Sequence, residues 1–265
     1  MTLLSIDNLT LTAAGQPLVT NLSFNLAPGE RLGLIGESGS GKSLTALASI
    51  GLLPPAITAT GSITLGDTEV LGAPERTLNR LRGAVAATVF QEPLTALDPL
   101  MKIGRQVAEP LARRAHRDGA SIDLNREVTA LLEAVALPDP GRIISAYPHE
   151  ISGGQRQRIA IAMALACRPQ LLIADEPTTA LDVTTQADIL TLLDRLVRER
   201  NMALLFISHD LPVVAKVVDR VVVLQRGEAV EAGAVAGIFA APAHPYTQSL
   251  VAAARRFDAA LEAAP

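Results

Sequence analysis

The sequence has a single cysteine, Cys167, among its 265 residues. One thiol cannot form an intramolecular disulfide, and this chain alone cannot build a four-cysteine cluster or a cysteine-based zinc site. A free cysteine behaves as a small apolar side chain. We therefore expect Cys167 to pack in the core of a protein from a reducing compartment.

Long apolar runs and an excess of basic residues are also missing. The longest apolar run, at 159–167, is far shorter than the roughly 20 residues of a membrane helix, and the N-terminus lacks the pattern of a signal peptide. The formal net charge is −4, whereas a nucleic-acid-binding surface usually shows as a basic stripe. We expect a cytosolic chain that binds no nucleic acid and needs other chains to act across a membrane.

Aromatic residues are scarce, at 3% with no tryptophan, while hydrophobic residues make up 49% of the chain. The core must therefore be packed mainly from Ala, Leu, Val and Ile. A chain of this length can form one large domain or two small ones.

A glycine-rich motif at 36–43, GESGSGKS, is the strongest chemical signal. It matches G-x-x-x-x-G-K-[ST], in which backbone N–H groups cradle phosphates, the lysine reaches the outer phosphates and the serine binds Mg²⁺. An apolar strand at 31–35 and a helix at 44–50 flank it, so a helix N-terminus also faces the anion. The residues expected to bind ATP here are Gly36, Ser38, Gly39, Ser40, Gly41, Lys42 and Ser43. Lys42 would also stabilise charge during hydrolysis, and Ser43 would be a metal ligand.

Short apolar strands alternate with helices in the second half of the chain, which indicates a mostly parallel sheet covered on both faces. The strands are predicted at 171–174, 203–207 and 220–224, and the helices at 155–167, 184–200 and 211–218. Residues 3–35 have the alternation of antiparallel strands instead, and a hairpin is predicted at 61–71. From Pro93 to about Pro148 helical periodicity takes over, at 103–114 and 124–136. The sequence predicts an α/β core with a helical insertion.

Two adjacent carboxylates, Asp175 and Glu176, end the predicted strand at 171–174. Ligands bind at the carboxyl ends of strands in parallel sheets. Asp175 is placed to hold Mg²⁺, and Glu176 to polarise a water that attacks the γ-phosphate. This short pattern alone is a weak indication of a nucleotide site, and it becomes a strong one because the phosphate motif lies upstream.

A second Ser/Gly segment, ISGGQ at 151–155, precedes another helix and presents a second anion-binding device. One ATP does not need two such loops from one chain. With this segment the sequence resembles the ATP-binding cassette (ABC) family, whose signature is LSGGQ, with Ile151 in place of the leucine. In that family two cassettes pair head to tail, and each ATP lies between the phosphate loop of one and the signature of the other.

The resemblance covers about the whole chain, with its motifs in family order. It implies an α/β P-loop cassette at 1–240, with a mostly parallel RecA-like core sheet, an N-terminal antiparallel β subdomain and a helical subdomain at about 93–165, followed by a tail at 241–265. Gln91 matches a glutamine that senses Mg²⁺ and water, and His209 matches a switch histidine on the γ-phosphate. The residues implied at the signature and at the loop that crosses the dimer interface (180–182) are Ser152, Gly153, Gly154, Gln155 and Asp182.

One stretch departs from the family pattern. An aromatic ring usually precedes the first loop and stacks on adenine, but residues 11–16 read LTAAGQ. We expect weaker ATP affinity or a relaxed base preference.

The tail adds a finer resemblance. The run HPYT at 244–247, and EPTTALDVTTQADIL at 176–190, are similar to ATPases of peptide and nickel importers. Those oligopeptide ATPases often have a longer cysteine-rich tail, so a tail this short and the segment AAGQPLV lean towards the nickel or dipeptide branch. A plain proline-rich turn is the other interpretation of HPYT.

The resemblance implies an ATPase subunit of a membrane importer at the cytoplasmic face of the membrane. Its implied partners are a second ABC ATPase, favoured as a different chain, two permease subunits and, through them, an extracytoplasmic binding protein. The alternatives are a soluble ABC-type ATPase of DNA repair or translation, or an exporter ATPase. Repair ATPases insert a long coiled coil between the two loops, whereas Lys42 and Ser152 are 110 positions apart without heptads. Translation factors of this family have two cassettes on one chain, whereas this chain has one. The HPYT tail argues against an exporter.

Overall fold

A computed structural model describes residues 2–91, 96–179 and 181–262, with side chains as far as residue 256. The strands are β1 (Leu4–Ala13), β2 (Gln16–Leu26), β3 (Arg31–Gly36), β4 (Ile57–Leu65), β5 (Thr68–Glu69), β6 (Ala86–Val89), β7 (Leu171–Asp175), β8 (Ala203–Ser208), β9 (Arg220–Gln225) and β10 (Glu228–Ala234). The helices are α1 (Lys42–Ser49), α2 (Glu75–Leu81), α3 (Ile103–Asp118), α4 (Leu124–Ala134), α5 (Pro140–Ser145), α6 (Gly153–Leu165), α7 (Val183–Glu199), α8 (Leu211–Ala215), α9 (Val235–Ala240) and α10 (Pro245–Glu262). The chain divides into unit one, Met1–Asn79 with Ala203–Pro265, and unit two, Arg80–Met202.

An antiparallel sheet in unit one has the strand order β2-β1-β4-β5. Alternate side chains of β1 point to one face, where Leu9 and Leu11 are completely buried. Leu4 lies opposite both Leu26 on β2 and Leu65 on β4. This buried row fixes the register, because a shift by one residue would turn the leucines to the other face.

The second sheet of unit one has β3 at its centre, paired in parallel with β8 on one side and β9 on the other. β10 pairs with β9 in the antiparallel direction. Ile35, near the end of β3, lies opposite Ser208, the last residue of β8. The segments that follow these two strands therefore leave the sheet side by side.

A glycine in β3 lets helix α8 approach the sheet closely. A Cβ at Gly33 would lie 2.5 Å from Cγ1 of Val214 and 3.1 Å from Cγ1 of Val221. A larger residue would push α8 away, and with it the segment between β8 and α8.

Unit two contains a parallel pair, β6 and β7, in which Val89 lies opposite Ala174. β7 is buried along its whole length, which explains its apolar sequence. Helices α3 to α6 form an apolar cluster around the buried side chains of Val107, Leu132 and Ile143. Glycine also permits close packing here, since a Cβ at Gly104 would lie 2.6 Å from Cγ2 of Ile144.

Arginines cap the C-terminus of α6. Arg114 donates to the carbonyl of Ala166 at 2.8 Å and to Glu127 at 2.7 Å, and Arg200 donates to the carbonyl of Leu165 at 3.4 Å. Cations are favourable at this end of a helix because its last carbonyls carry partial negative charge. The hydrogen bond from Arg114 also lowers the pKa of Glu127. The free thiol of Cys167 follows this end of the helix and donates to the carbonyl of Pro110.

The α/β fold class agrees with the sequence prediction, and several elements differ in extent. β4 begins at Ile57, before the predicted hairpin. α3 runs through Pro110 to Asp118, beyond the predicted end at 114. Four further elements of the described residues, α5, α9, β10 and the tail helix α10, were not predicted. Pro93, where the helical insertion was predicted to start, lies outside the described residues.

In the ranges that the structure describes, no helix has both the length and the apolar character to cross a bilayer.

Candidate functional site

The phosphate motif of unit one forms the predicted strand, loop and helix. β3 ends at Gly36 and α1 begins at Lys42. Gly39 and Gly41 have φ values of 79° and 95°, in the left-handed region that glycine adopts without steric cost. A Cβ at Gly41 would lie 2.4 Å from Cγ2 of Val19. The glycines are therefore required by the path of the backbone and by the neighbouring strand β2.

Lys42 is folded back into its own loop. Its Nζ donates to the carbonyls of Gly36 and Glu37, both at 2.8 Å, and only 4% of the residue is exposed. Ser40, which is 1% exposed, lies 3.5 Å from the same ammonium through its Oγ. The following residue, Ser43, is exposed at the start of α1. The loop thus concentrates a cation and backbone N–H groups at a helix N-terminus, which suits an anionic ligand.

His209 follows β8 immediately and is exposed. Because Ile35 and Ser208 are opposite each other in the sheet, His209 and the phosphate motif leave adjacent parallel strands at the same edge. The N–H of Asp210 donates to Oγ of Ser208 at 3.0 Å, and Asp210 in turn caps α8. This local bonding fixes the backbone on which His209 is carried.

In unit two, Gln91 follows strand β6, and Asp175 and Glu176 lie at the end of the parallel strand β7. Nε2 of Gln91 donates to Oε2 of Glu176 at 3.0 Å. Oγ1 of Thr179 donates to the same carboxylate oxygen at 2.9 Å. Asp175 is the last residue of β7 and is 7% exposed. The two predicted catalytic residues Gln91 and Glu176 are therefore in direct hydrogen-bond contact.

The signature segment forms the N-terminus of α6. Ser152 is the N-cap: its Oγ accepts from the N–H of Gln155 at 3.3 Å, and Oε1 of Gln155 accepts from the N–H of Ser152 at 3.0 Å. This reciprocal capping box satisfies two backbone donors at the helix start. Gly153 and Gly154 form the first turn.

Asp182 is the N-cap of α7, where its carboxylate accepts from the N–H of Thr185 at 3.0 Å and from its hydroxyl at 2.7 Å. These bonds lower the pKa of Asp182. A Cβ at Gly154 would lie 2.6 Å from Cγ2 of Thr185. The signature segment and the residues around Asp182 are therefore neighbours in unit two. Ala180, the first residue of the predicted interface loop, lies outside the described residues.

The structure thus collects the predicted residues in two groups. Unit one brings the phosphate motif beside His209, and unit two brings Gln91 to Glu176 and the signature to Asp182. Thr179 and Thr185, which donate to Glu176 and Asp182, were not predicted from the sequence. The spacing was a usable signal in both cases, since each threonine lies three residues after its carboxylate, a distance that a turn or helix N-terminus spans.

Each unit has donors of the chemical type that ATP and Mg²⁺ require. In the described part of the chain nothing lies within 4 Å of a Cβ placed on Gly39, apart from its chain neighbours, so this side of the loop is open. The oxygen donors predicted for the metal are the Ser43 hydroxyl, the Gln91 amide and the Asp175 carboxylate. Hard oxygen ligands of this type suit Mg²⁺.

Comparison with known proteins gives consistent results. The family model described as ABC transporter matches residues 19–179. The oligopeptide transport ATP-binding protein OppD of Escherichia coli K12 is 48% identical over 241 residues, which cover 91% of this chain and 71% of that protein. The glutathione import ATP-binding protein GsiA of the same strain is 48% identical over 252 residues, but the match covers only 40% of that longer protein.

Solved structures support the fold. The post-hydrolysis dimer of the ATP-binding cassette MJ0796, bound to ADP and Pi, has a TM-score of 0.76 and 27% sequence identity, over 88% of this chain and 98% of that one. The cassette cbiO1 from Clostridium perfringens has the same TM-score at 24% identity, which supports the fold alone. The chain belongs to the ABC transporter family, as the ATP-hydrolysing subunit of an importer.

Proposed function

We propose that this ATPase binds MgATP through the phosphate loop of unit one and hydrolyses it with Glu176 as the general base. Lys42 and the loop N–H groups bind the phosphates, and His209 reaches the γ-phosphate. Ser43, Gln91 and Asp175 supply oxygens for Mg²⁺, which offsets phosphate charge when bound.

The hydrogen bond between Gln91 and Glu176 carries the catalytic part of this proposal. A general base has to present one carboxylate oxygen to a water in a fixed direction. Gln91 and Thr179 both donate to Oε2 of Glu176, so the direction of the carboxylate is fixed, and we assign to this carboxylate the proton of the attacking water.

Glu176→Gln tests this assignment. The amide cannot take a proton, so we expect ATP hydrolysis to fall by about 10²- to 10⁴-fold, the usual contribution of a general base. ATP binding should persist, and ATP should shift the variant, mixed with its partner cassette, towards a dimer in size-exclusion chromatography. Glu199→Gln, at an exposed position where the carboxylate pairs with Arg195, is the matched control. Unchanged turnover in Glu176→Gln would remove Glu176 from this role.

We assign the signature to the ATP of a partner cassette. Ser152, Gly153, Gly154 and Gln155 form a helix N-terminus, which attracts anions, and Asp182 lies next to it. The proposed assembly is two different ATPase chains on two permeases, at the cytoplasmic face of the membrane, with an extracytoplasmic binding protein and no nucleic acid. Purification of the chain from its own membranes, with mass spectrometry of the co-purified subunits, tests the pairing. A complex with this ATPase alone would contradict the heterodimer.

For the cargo we propose short peptides. The support is the similarity to the oligopeptide and glutathione proteins across most of this chain. The similarity of the HPYT run at 244–247 to ATPases of nickel importers keeps nickel as the second candidate.

Uptake of a labelled dipeptide, labelled glutathione and labelled nickel should be compared in cells with and without the gene, and with Glu176→Gln restored. We expect loss of peptide uptake without the gene and no rescue by the variant. Loss of nickel uptake alone would replace the peptide assignment by a metal importer.

A further inference from the structure

The HPYT segment opens helix α10, and its tyrosine reaches the phosphate loop. Oη of Tyr246 accepts a hydrogen bond of 2.8 Å from the backbone N–H of Glu37, 209 positions earlier in the chain. Tyr246 is half-buried, and burial raises the pKa of its phenol. The phenol therefore stays neutral at physiological pH and remains an acceptor without adding negative charge to the loop.

Glu37, which donates to Tyr246, also accepts a hydrogen bond from Lys42. The carbonyl of Glu37 accepts from Nζ of Lys42 at 2.8 Å. Two consecutive hydrogen bonds therefore connect the tail to the Lys42 ammonium. Displacement of Glu37 would move one of the two carbonyls that fix the position of that charge.

The start of the tail helix is itself fixed by strand β10. The carboxylate of Glu231 accepts from the N–H groups of Ala243 at 2.9 Å and His244 at 3.0 Å. Burial alone would raise the pKa of Glu231, but these backbone hydrogen bonds lower it below its ordinary value. Nδ1 of His244 accepts from the N–H of Tyr246 at 3.2 Å. The anchor therefore sets the direction in which Tyr246 leaves the helix.

The same helix also borders the segment that carries His209. Leu250 and Ala254 of α10 line a cavity of about 230 Å³ together with His209 and Pro212. Ala254 and Val251 are buried on this helix. One helix thus lies against the two nucleotide-facing segments of unit one.

We infer that Tyr246 is a positioning residue for the phosphate loop, acting through Glu37 on Lys42, with Glu231 as the anchor of the tail. The inference rests on the proposed binding of ATP phosphates by this loop. It assigns a role in the ATPase to the HPYT segment, which carries no ATP-binding motif of its own.

Tyr246→Phe tests the inference because it keeps the ring and removes only the hydroxyl. We expect the KM for ATP of the full-length protein to rise about 3- to 10-fold, the effect of one hydrogen bond, with kcat and the melting temperature unchanged. Glu231→Gln should raise KM in the same direction. The double variant should be no worse than the more affected single variant, because both act through one link.

Ser249→Ala is the matched control, since its hydroxyl lies on the same helix and donates only to the carbonyl of Tyr246. The inference is overturned if Tyr246→Phe has the same KM as Ser249→Ala, or if kcat and the melting temperature fall together with affinity, which indicates a structural role only. If the unaltered protein neither binds nor hydrolyses MgATP, the proposed function fails and the inference with it. If Tyr246→Phe does not fold, an unchanged KM in Glu231→Gln would overturn the inference.

Discussion

Gln91 and Glu176 follow different strands, yet Nε2 of Gln91 lies 3.0 Å from Oε2 of Glu176 and donates to it. Glu176 has a φ of 46°, a left-handed conformation that costs a non-glycine residue about 1 kcal/mol or more. Thr179 binds the same oxygen. Strained backbone and two donors together fix the direction of the carboxylate.

Thr179→Val should lower kcat for ATP hydrolysis about tenfold, because a hydrogen bond to a charged group contributes about 1.5 kcal/mol. Valine has nearly the same shape, and the KM for ATP should stay the same since the lost hydrogen bond is to the proposed general base. Steady-state hydrolysis measures both constants. Thr191→Val, which removes an exposed hydroxyl bonded to its own helix, is the control. Equal kcat in the two variants would contradict the role of Thr179.

Ala13→Tyr should tighten ATP binding about fivefold, since base stacking on an aromatic ring contributes roughly 1 kcal/mol or more. Ala13 ends β1 beside the β1–β2 turn and pairs with Gln16. Val19, farther along β2, touches the phosphate loop at Gly41. Calorimetric titration with ATP and GTP measures the gain and the base preference.

Thr12→Tyr is the control for this prediction, because neighbouring residues of a strand point to opposite faces. Equal gains in both tyrosine variants would argue against stacking. Strong discrimination of ATP from GTP by the unaltered protein would contradict the expected effect of the missing ring.

Gly154→Ala should destabilise the protein by about 1 kcal/mol. The new Cβ would lie 2.6 Å from Cγ2 of Thr185; such overpacking typically costs about 1–3 kcal/mol, of which higher helix propensity recovers up to about 1 kcal/mol. Thr185→Ser removes that methyl and keeps the hydroxyl on Asp182, so the double variant should regain stability. Urea unfolding measures each variant. A double variant as unstable as Gly154→Ala would place the strain elsewhere.

Cys167 should react slowly with a thiol reagent in the native protein. Burial raises the pKa of its thiol, and the thiolate is the reactive form. The native rate should therefore keep rising above the pH at which an unfolded cysteine has ionised. The same shift favours the protonated thiol in the folded state, so its contribution to stability is present at neutral pH and lost as the solution becomes alkaline.

Reaction with DTNB as a function of pH, with and without denaturant, checks this, and Cys167→Ser gives the background. Equal native and denatured rates at neutral pH would show that the thiol is not protected.

The sequence predicted the strands that carry the motifs because they are short, apolar and followed by glycines or carboxylates. β3, β7, β8 and β9 all begin and end within one residue of the predicted bounds. β10 was not predicted because its sequence, EAVEAGA, lacks the alternation of β-branched residues. Its pairing with β9 depends on tertiary contacts. The tail helix was not predicted because its first residue, Pro245, is equally typical of a turn, although proline is favoured at the first position of a helix.

The residues of the candidate site could be predicted from the sequence in part, but their contacts could not. Residue types and spacing singled out Lys42, Asp175 and Glu176 as candidates, and the family resemblance added His209. Neither shows which distant side chain completes a local hydrogen bond, so the sequence could not predict the contact of Gln91 with Glu176 or that of Tyr246 with Glu37. Such pairs depend on strand order and on the path of the tail.

Lys42 is almost completely shielded from solvent, with its ammonium held by two carbonyl groups. Removal of water from a charged group costs free energy. For Lys42 this desolvation takes place when the loop folds, before nucleotide binds. An incoming phosphate would therefore meet a dehydrated cation whose position is set by the fold of the loop and not by the nucleotide.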